Sequence, residues 1–158
     1  MALDDLVFFD TSVLVAGLIE MGDSSLAADR ILDAVKRRTV SRPVTAWHCC
    51  LECYSVATRL PAPVRLDPEM ARALLEEEVL GRFAIADLPA SARSAFLTSA
   101  SADRVAGGRI YDAHIAETAR LAGARIVVTD NRRHFLAALR HGIRVETPGE
   151  FLAGLKKK

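Results

Sequence analysis

The sequence lacks the features that mark membrane, secreted and strongly charged proteins. Lys and Arg number 21 and Asp and Glu 20, so the formal net charge is +1 and bulk charge indicates no polyanionic partner. A basic face could still exist if the acidic residues gather elsewhere. No apolar run approaches the roughly 20 residues that span a bilayer, and the N-terminal segment lacks the basic and apolar parts of a secretory leader. We therefore expect no membrane association and a cytoplasmic location.

Cysteine is also scarce, and all three cysteines lie within residues 49–53. An odd number in one short segment does not make a disulfide framework, which indicates a reducing compartment. The preceding His48 suggests zinc, but one helix cannot aim these side chains at a single tetrahedral centre, and there is no second cysteine pair. We interpret Cys50 and Cys53 as small core residues. The sequence also lacks a phosphate-binding loop and a nucleophile elbow.

Short apolar segments alternate with segments of helical spacing, which favours an α/β fold with a mostly parallel sheet covered by helices. Strands are predicted near residues 6–9, 39–44 (interrupted by Pro43), 83–88, 125–129 and 143–146. Helices are predicted near residues 13–20, 24–38, 45–60, 67–80, 89–102, 109–122, 132–140 and from 148 onward. Residues 1–154 are expected to form one domain, and residues 155–158 a disordered, lysine-rich tail.

The most informative stretch is the apolar run 6–9, which stops at Asp10. A buried strand here would deliver Asp10 to the carboxyl edge of the sheet, where α/β proteins keep their sites. Thr11 and Ser12 follow with hydroxyl groups, and helical spacing begins at Val13. The alternative interpretation is that Asp10 only caps the helix that follows, a common role for aspartate.

Polar residues at three other places in the chain could belong to the same site as Asp10. Asp130 and Asn131 end another buried strand, Asp112 lies in the first turn of the helix before that strand, and Glu52 interrupts a largely apolar helix. If the two buried strands are parallel neighbours, their carboxyl ends coincide and Asp10 meets residues 130–131 at one edge. Crowded carboxylates repel one another, and a hard divalent cation offsets that repulsion. Mg²⁺ prefers such oxygen ligands and polarises phosphodiesters.

Residues 8–14, Glu52, residues 111–116 and residues 128–135 together resemble the PIN domain family, and more narrowly the toxin ribonucleases of VapBC toxin–antitoxin systems. Four motifs occur in the family order over essentially the whole chain. The resemblance implies a three-layer α/β/α fold with a central, mostly parallel sheet of four to five strands. It also implies an endoribonuclease that depends on Mg²⁺ or Mn²⁺, forms homodimers, and is inhibited by a cognate VapB-like antitoxin.

The resemblance also assigns roles to residues. Asp10 and Asp112 would hold the metal, and Glu52 would orient a water molecule or bind a second ion. Asn131 matches the fourth family position, where Asp or Asn occurs, and Asp130 is the alternative.

Residues outside the acidic set have supporting roles in this interpretation. Ser12 and Thr129 could hydrogen-bond the carboxylates or a phosphate. Arg132 and Arg133 are predicted to contact the RNA backbone, which carries little sequence information. The basic run at residues 36–38 is either a solvated helix end or a further RNA contact. Two other functions remain open: a PIN-fold RNA-binding or scaffold protein without catalysis, and a phosphohydrolase of small substrates.

Overall fold

The computed structural model describes residues 3–156, and within them five strands form one sheet. The strands are β1 (Leu3–Phe9), β2 (Val40–Ala46), β3 (Ala84–Ala86), β4 (Ile126–Val128) and β5 (Arg144–Glu146). Their order is β3-β2-β1-β4-β5, and every neighbouring pair is parallel. The central strand β1 is apolar on both faces, and Val7, Phe8 and Phe9 are completely buried. The predicted parallel α/β architecture is confirmed.

Eight α-helices flank the sheet in the described part of the chain, which gives the three-layer α/β/α arrangement. They are α1 (Thr11–Leu18), α2 (Leu26–Lys36), α3 (Trp47–Arg59), α4 (Pro68–Leu74), α5 (Arg93–Ala102), α6 (Arg109–Leu121), α7 (Leu136–Leu139) and α8 (Pro148–Leu155). Sequence signals mark several ends. Asp67 accepts hydrogen bonds from the first N–H groups of α4, and Thr147 and Glu150 form a capping box on α8. No helix within residues 3–156 is long and apolar enough to cross a membrane.

The predicted elements differ from the observed ones mainly where a proline or a tight turn intervenes. Pro43 does not interrupt β2, because it lies opposite Val7 of β1 while pairing with β3 begins only at Val44. The predicted helix 132–140 is a 3₁₀ turn (Arg132–Phe135) followed by the single turn of α7.

The expected domain end at residue 154 lies within the last helix. Helix α8 continues to Leu155, one residue past the expected domain end. The last two residues of the predicted lysine tail, 157 and 158, lie outside the described residues.

All three cysteines are buried in α3 and carry free thiols. This confirms the interpretation of Cys50 and Cys53 as core residues and adds Cys49, which is 0% exposed. Burial raises the pKa of Cys49 and Cys53 to about 12 and that of Cys50 to about 11. The thiols are therefore protonated at neutral pH, which is unfavourable for metal binding or nucleophilic attack.

Candidate active site

Asp10 lies at the carboxyl end of β1, next to the end of β4. Its backbone N–H donates to Val128 O at 3.1 Å, which continues the ladder between the two strands by one residue. The side chain is 6% exposed, and Oδ2 accepts hydrogen bonds from Thr129 Oγ1 at 2.7 Å and Ser12 Oγ at 3.1 Å. Although Asp10 precedes α1, its side chain makes no capping hydrogen bond. Asp10 occupies the N-cap position of α1, but capping by its side chain does not account for this residue.

The two hydroxyl groups also hold the turn after β4 against Asp10. Thr129 is completely buried, and its Oγ1 accepts the backbone N–H of Asn131 at 2.9 Å. Ser12 Oγ accepts the backbone N–H of Asp130 at 3.1 Å. Sequence reasoning placed all five residues at one edge, and the structure brings them together there. Both Asp130 and Asn131 have exposed side chains at this edge.

Burial has the largest influence on the pKa of Asp10. Loss of solvation raises the pKa of this carboxyl group, and the hydrogen bonds from Thr129 and Ser12 lower the pKa in partial compensation. The negative charge of Glu52 raises the pKa further but is a smaller cause than burial. The cost of ionising Asp10 is therefore mainly a desolvation cost rather than the mutual repulsion of carboxylates expected from the sequence.

The surface of helix α3 consists of three stripes of residues, and one of them places Glu52 at this edge. The cleft stripe comprises His48, Glu52, Ser55, Val56 and Arg59. The buried stripe comprises Cys49, Cys50, Cys53 and Ala57. The outward stripe comprises the exposed Trp47, Leu51 and Tyr54. Because the spacing within each stripe is three or four residues, one helix faces the cleft, the core and the outer surface at once.

The carboxylate of Glu52 is held by two residues that sequence reasoning did not include in the site. Thr11 Oγ1 donates to Glu52 Oε2 at 2.6 Å, and His48 Nε2 lies 3.5 Å from Glu52 Oε1. His48 had a signal in the sequence, because it precedes Glu52 by one helical turn. Thr11 had none at that range, since its contact joins residues 41 positions apart.

Asp112 lies in the first turn of α6 and is the more open of the two aspartates. Its side chain is 36% exposed, and Oδ1 lies 3.3 Å from His134 Nδ1. His134 comes from the 3₁₀ turn that follows β4. Sequence reasoning missed His134, because nothing in the local pattern indicates that this turn folds back onto α6.

These side chains share one cleft of about 670 Å³ at the carboxyl edge of the sheet. Of the predicted site residues, the cleft lining includes Asp10, Ser12, Glu52, Asp112, Asp130 and Asn131. Residues that were not predicted also line it: Thr11, His48, Arg59, Tyr111 and His134. Thr129 is not part of the lining and supports Asp10 from behind.

The predicted RNA-binding arginines differ in their contacts. Arg132 donates to Glu150 Oε1 and to the carbonyl of Val145, both at 3.0 Å, and so fastens the turn to α8 and β5. Arg133 is exposed and makes no hydrogen bond or ion pair with any residue in the described range 3–156. Arg59 reaches the cleft itself. Arg133 and Arg59 are therefore more available to a ligand than Arg132.

The donor chemistry of the cleft fits a divalent cation that prefers oxygen. Carboxylate and amide oxygens from β1, α3, α6 and the turn after β4 line the same space. Within the described residues, no three His, Cys, Asp or Glu side chains converge as a preformed metal cage. Mg²⁺ does not need such a cage, because it binds through one or two carboxylates and keeps several water ligands.

Comparison with known proteins places this arrangement in context. The sequence profile described as PIN domain matches residues 6–133. The chain is 36% identical over 124 residues to Ribonuclease VapC40 of Mycobacterium tuberculosis, covering 78% of this chain and 85% of the relative. It is 35% identical over 109 residues to Ribonuclease VapC27 of the same species, covering 62% of this chain and 77% of the relative.

Solved structures show the same fold at lower sequence identity. PAE2754 from Pyrobaculum aerophilum matches with a TM-score of 0.63 and 22% identity, covering 99% of this chain and 93% of that one. The structure of FitAB bound to IR36 DNA matches with a TM-score of 0.61 and 19% identity, covering 90% and 95%. VapC20 of M. tuberculosis, described as a sarcin-ricin loop cleaving toxin, matches with 0.58 and 16%, covering 77% and 86%.

Proposed function

The chain belongs to the PIN domain family, and on that premise we propose that it is a divalent-metal-dependent endoribonuclease, the toxin of a VapBC-type toxin–antitoxin pair. The observation that carries the proposal is the meeting of Asp10, Glu52 and Asp112 in one cleft, although they come from a strand end and two separate helices. The relatives named ribonucleases support RNA as the substrate.

Each carboxylate has an assigned role in this proposal. Asp10 and Asp112 would hold Mg²⁺ or Mn²⁺, and the ion would supply Lewis-acid polarisation of a phosphodiester. Glu52, fixed between Thr11 and His48, either orients the attacking water or holds a second ion. Asn131 or Asp130 completes the oxygen set at the sheet edge. Because partners on the protein hold these carboxylates in place, little reorganisation is needed when substrate and metal bind.

A cleavage assay on mixed RNA tests the function. EDTA should abolish cleavage and added Mg²⁺ or Mn²⁺ should restore it, while Asp10→Asn should be inactive with either metal. Added Mg²⁺ should also raise the melting temperature of the unchanged protein, because the ion binds only the folded site. Full activity in EDTA, with contaminating nuclease excluded by the Asp10→Asn control, would contradict the mechanism. Binding of RNA without cleavage would favour a scaffold, and hydrolysis of small phosphodiesters alone would favour a phosphohydrolase.

We propose a VapB-like antitoxin as the protein partner and the cytoplasm as the location. Similar folds occur in the FitAB complex and in VapBC2 from Rickettsia felis bound to a promoter DNA fragment. Induced expression of this chain should arrest growth, and co-expression of the neighbouring reading frame should relieve the arrest. An Asp10→Asn variant that arrests growth equally would show that cleavage is not the cause.

We also propose that the outward stripe of α3 forms the homodimer contact. Three large apolar side chains are exposed on one face of this helix: Trp47 at 44%, Leu51 at 51% and Tyr54 at 37%. Exposed apolar patches of this kind mark protein–protein contacts. Light scattering should give a dimer mass for the unchanged protein and a monomer mass for Leu51→Glu. A dimer that survives Leu51→Glu would place the contact elsewhere.

A further inference from the structure

Two aromatic rings stand at the wall of the cleft, and the chemistry proposed above uses only one of them, His48, through its contact with Glu52. The rings of His48, from α3, and Tyr111, from α6, are stacked with centroids 5.3 Å apart and planes 15° apart. Both residues line the cleft, and Tyr111 immediately precedes Asp112 in the chain. Tyr111 is nevertheless 55% exposed, although a tyrosine of this size usually buries much of its ring.

Further rings hold this pair in position. The ring of His114 meets His48 edge-on at 5.5 Å, and the ring of Phe96, from α5, meets His114 edge-on at 5.9 Å. His48 is also close to Glu52. Three helices therefore fix the ring beneath Tyr111, and a ligand that stacks on Tyr111 meets a surface that is already ordered. Pre-ordering of this kind lowers the entropy cost of binding.

The exposed face of the Tyr111 ring is suited to stacking against another flat ring. Because His48 covers one face of the ring, the exposed part of the side chain includes the opposite face. The neighbouring walls carry carboxylates, which repel the phosphates of RNA, whereas a neutral ring attracts the flat face of any base. Proteins that bind single-stranded RNA commonly stack unpaired bases on exposed aromatic side chains, and this contact tolerates different bases.

We propose that Tyr111, backed by His48, is a substrate-binding residue on which one unpaired nucleobase of single-stranded RNA stacks, directly beside Asp112. This inference rests on the proposed ribonuclease function and extends it by naming the part of the substrate that the cleft holds. The contact requires an unpaired base, because a base inside a duplex cannot offer its face to the ring. It also makes Tyr111 a determinant of which phosphodiester is placed over the acids.

The test measures stacking separately from cleavage. In an Asp10→Asn background with Mg²⁺ present, the probe is a short oligouridine with one central 2-aminopurine, whose fluorescence falls when it stacks. We expect Tyr111→Leu to lose the fluorescence quenching and to weaken binding by at least about fivefold, the low end of what one stacked base contributes. Tyr111→Phe keeps the ring and should keep both. Met70→Ala, a change of an exposed apolar side chain on α4 outside the cleft lining, should behave like the background.

The cleavage assay supplies a second readout. With Asp10 intact, Tyr111→Leu should raise KM more than it lowers kcat, because the ring binds the base and does not take part in bond breaking. Melting curves establish that every variant is folded.

The possible outcomes separate this inference from the function on which it rests. An unchanged protein that neither binds nor cleaves RNA would overturn both. A protein that binds and quenches the probe equally well with Tyr111→Leu would overturn the stacking inference alone. Loss of binding to a protein partner, with RNA binding unchanged, would assign the ring to that partner and would also overturn the inference.

Discussion

The two walls of the cleft are built in different ways. At the sheet wall, Asp10 is 6% exposed, continues a strand ladder, and is backed by the fully buried Thr129. At the helix wall, Asp112 is 36% exposed and its carboxylate contacts the side chain of His134 across a surface turn. Backbone pairing fixes one acid, and side-chain contacts alone orient the other. The sheet wall should therefore couple activity to stability, whereas the helix wall should carry activity with little effect on stability.

Alanine substitution of the two aspartates should give the largest difference between the walls. Both Asp10→Ala and Asp112→Ala should lower cleavage by at least about 100-fold, because each removes a proposed metal ligand. In EDTA, Asp10→Ala should also lower the free energy of unfolding by about 2 kcal/mol, since Thr129 and Ser12 lose their acceptor in a buried place. Asp112→Ala should change it by no more than about 0.5 kcal/mol. Urea unfolding checks both values, and equal losses would contradict the comparison.

The residues that hold the two aspartates should show the same contrast more weakly. Thr129→Val keeps the shape but removes the hydroxyl group, and should cost about 1 kcal/mol of stability together with roughly tenfold in activity. His134→Ala should cost a similar factor in activity with stability unchanged. Thr129→Ser restores the hydroxyl group and serves as the control. A destabilised but fully active Thr129→Val would show that Thr129 has only a structural role.

The smallest effect is expected for the two arginines beyond the sheet edge. Arg133→Glu should flatten the dependence of RNA binding on salt by about one unit of slope, because an available phosphate contact is lost. Arg132→Glu should change that slope less and should lower the melting temperature slightly through loss of its ion pair with Glu150. Salt titrations of RNA binding compare the two. Identical slopes for both variants would contradict the distinction.

The sheet wall of the site could be predicted from the sequence, and the helix wall could not. Asp10, Ser12, Thr129 and residues 130–131 could be placed at one edge, because the ends of adjacent parallel strands coincide whatever surrounds them. The contacts of the helix wall could not be predicted. The bond from Thr11 to Glu52 spans 41 positions, and the approach of His134 to Asp112 depends on how a turn packs against α6.

The fold itself was more predictable than these side-chain contacts. Alternating apolar segments indicated all five strands and the parallel arrangement, because hydrophobic periodicity reports burial directly. Pro43 was misleading as a strand breaker, since the sequence does not show that this residue pairs with β1 alone, before pairing with β3 begins at Val44. The hydrogen bond from Arg132 to Glu150 could not be predicted either, because Glu150 lies 18 positions further along the chain, in α8.

The three stripes of α3 have a consequence for changes in the length of the chain. One inserted residue advances everything after it by about 100°, since a helical turn takes 3.6 residues. An insertion just before Glu52 would rotate its carboxylate toward the buried stripe and would carry Cys53 out of the core. An insertion of seven residues returns the register to within about 20°. Among insertions of one to seven residues, those of three, four and seven should therefore be tolerated best, because these lengths come nearest to whole helical turns. A substitution in α3 changes one stripe, whereas a shift of register displaces the cleft stripe, the buried stripe and the outward stripe together.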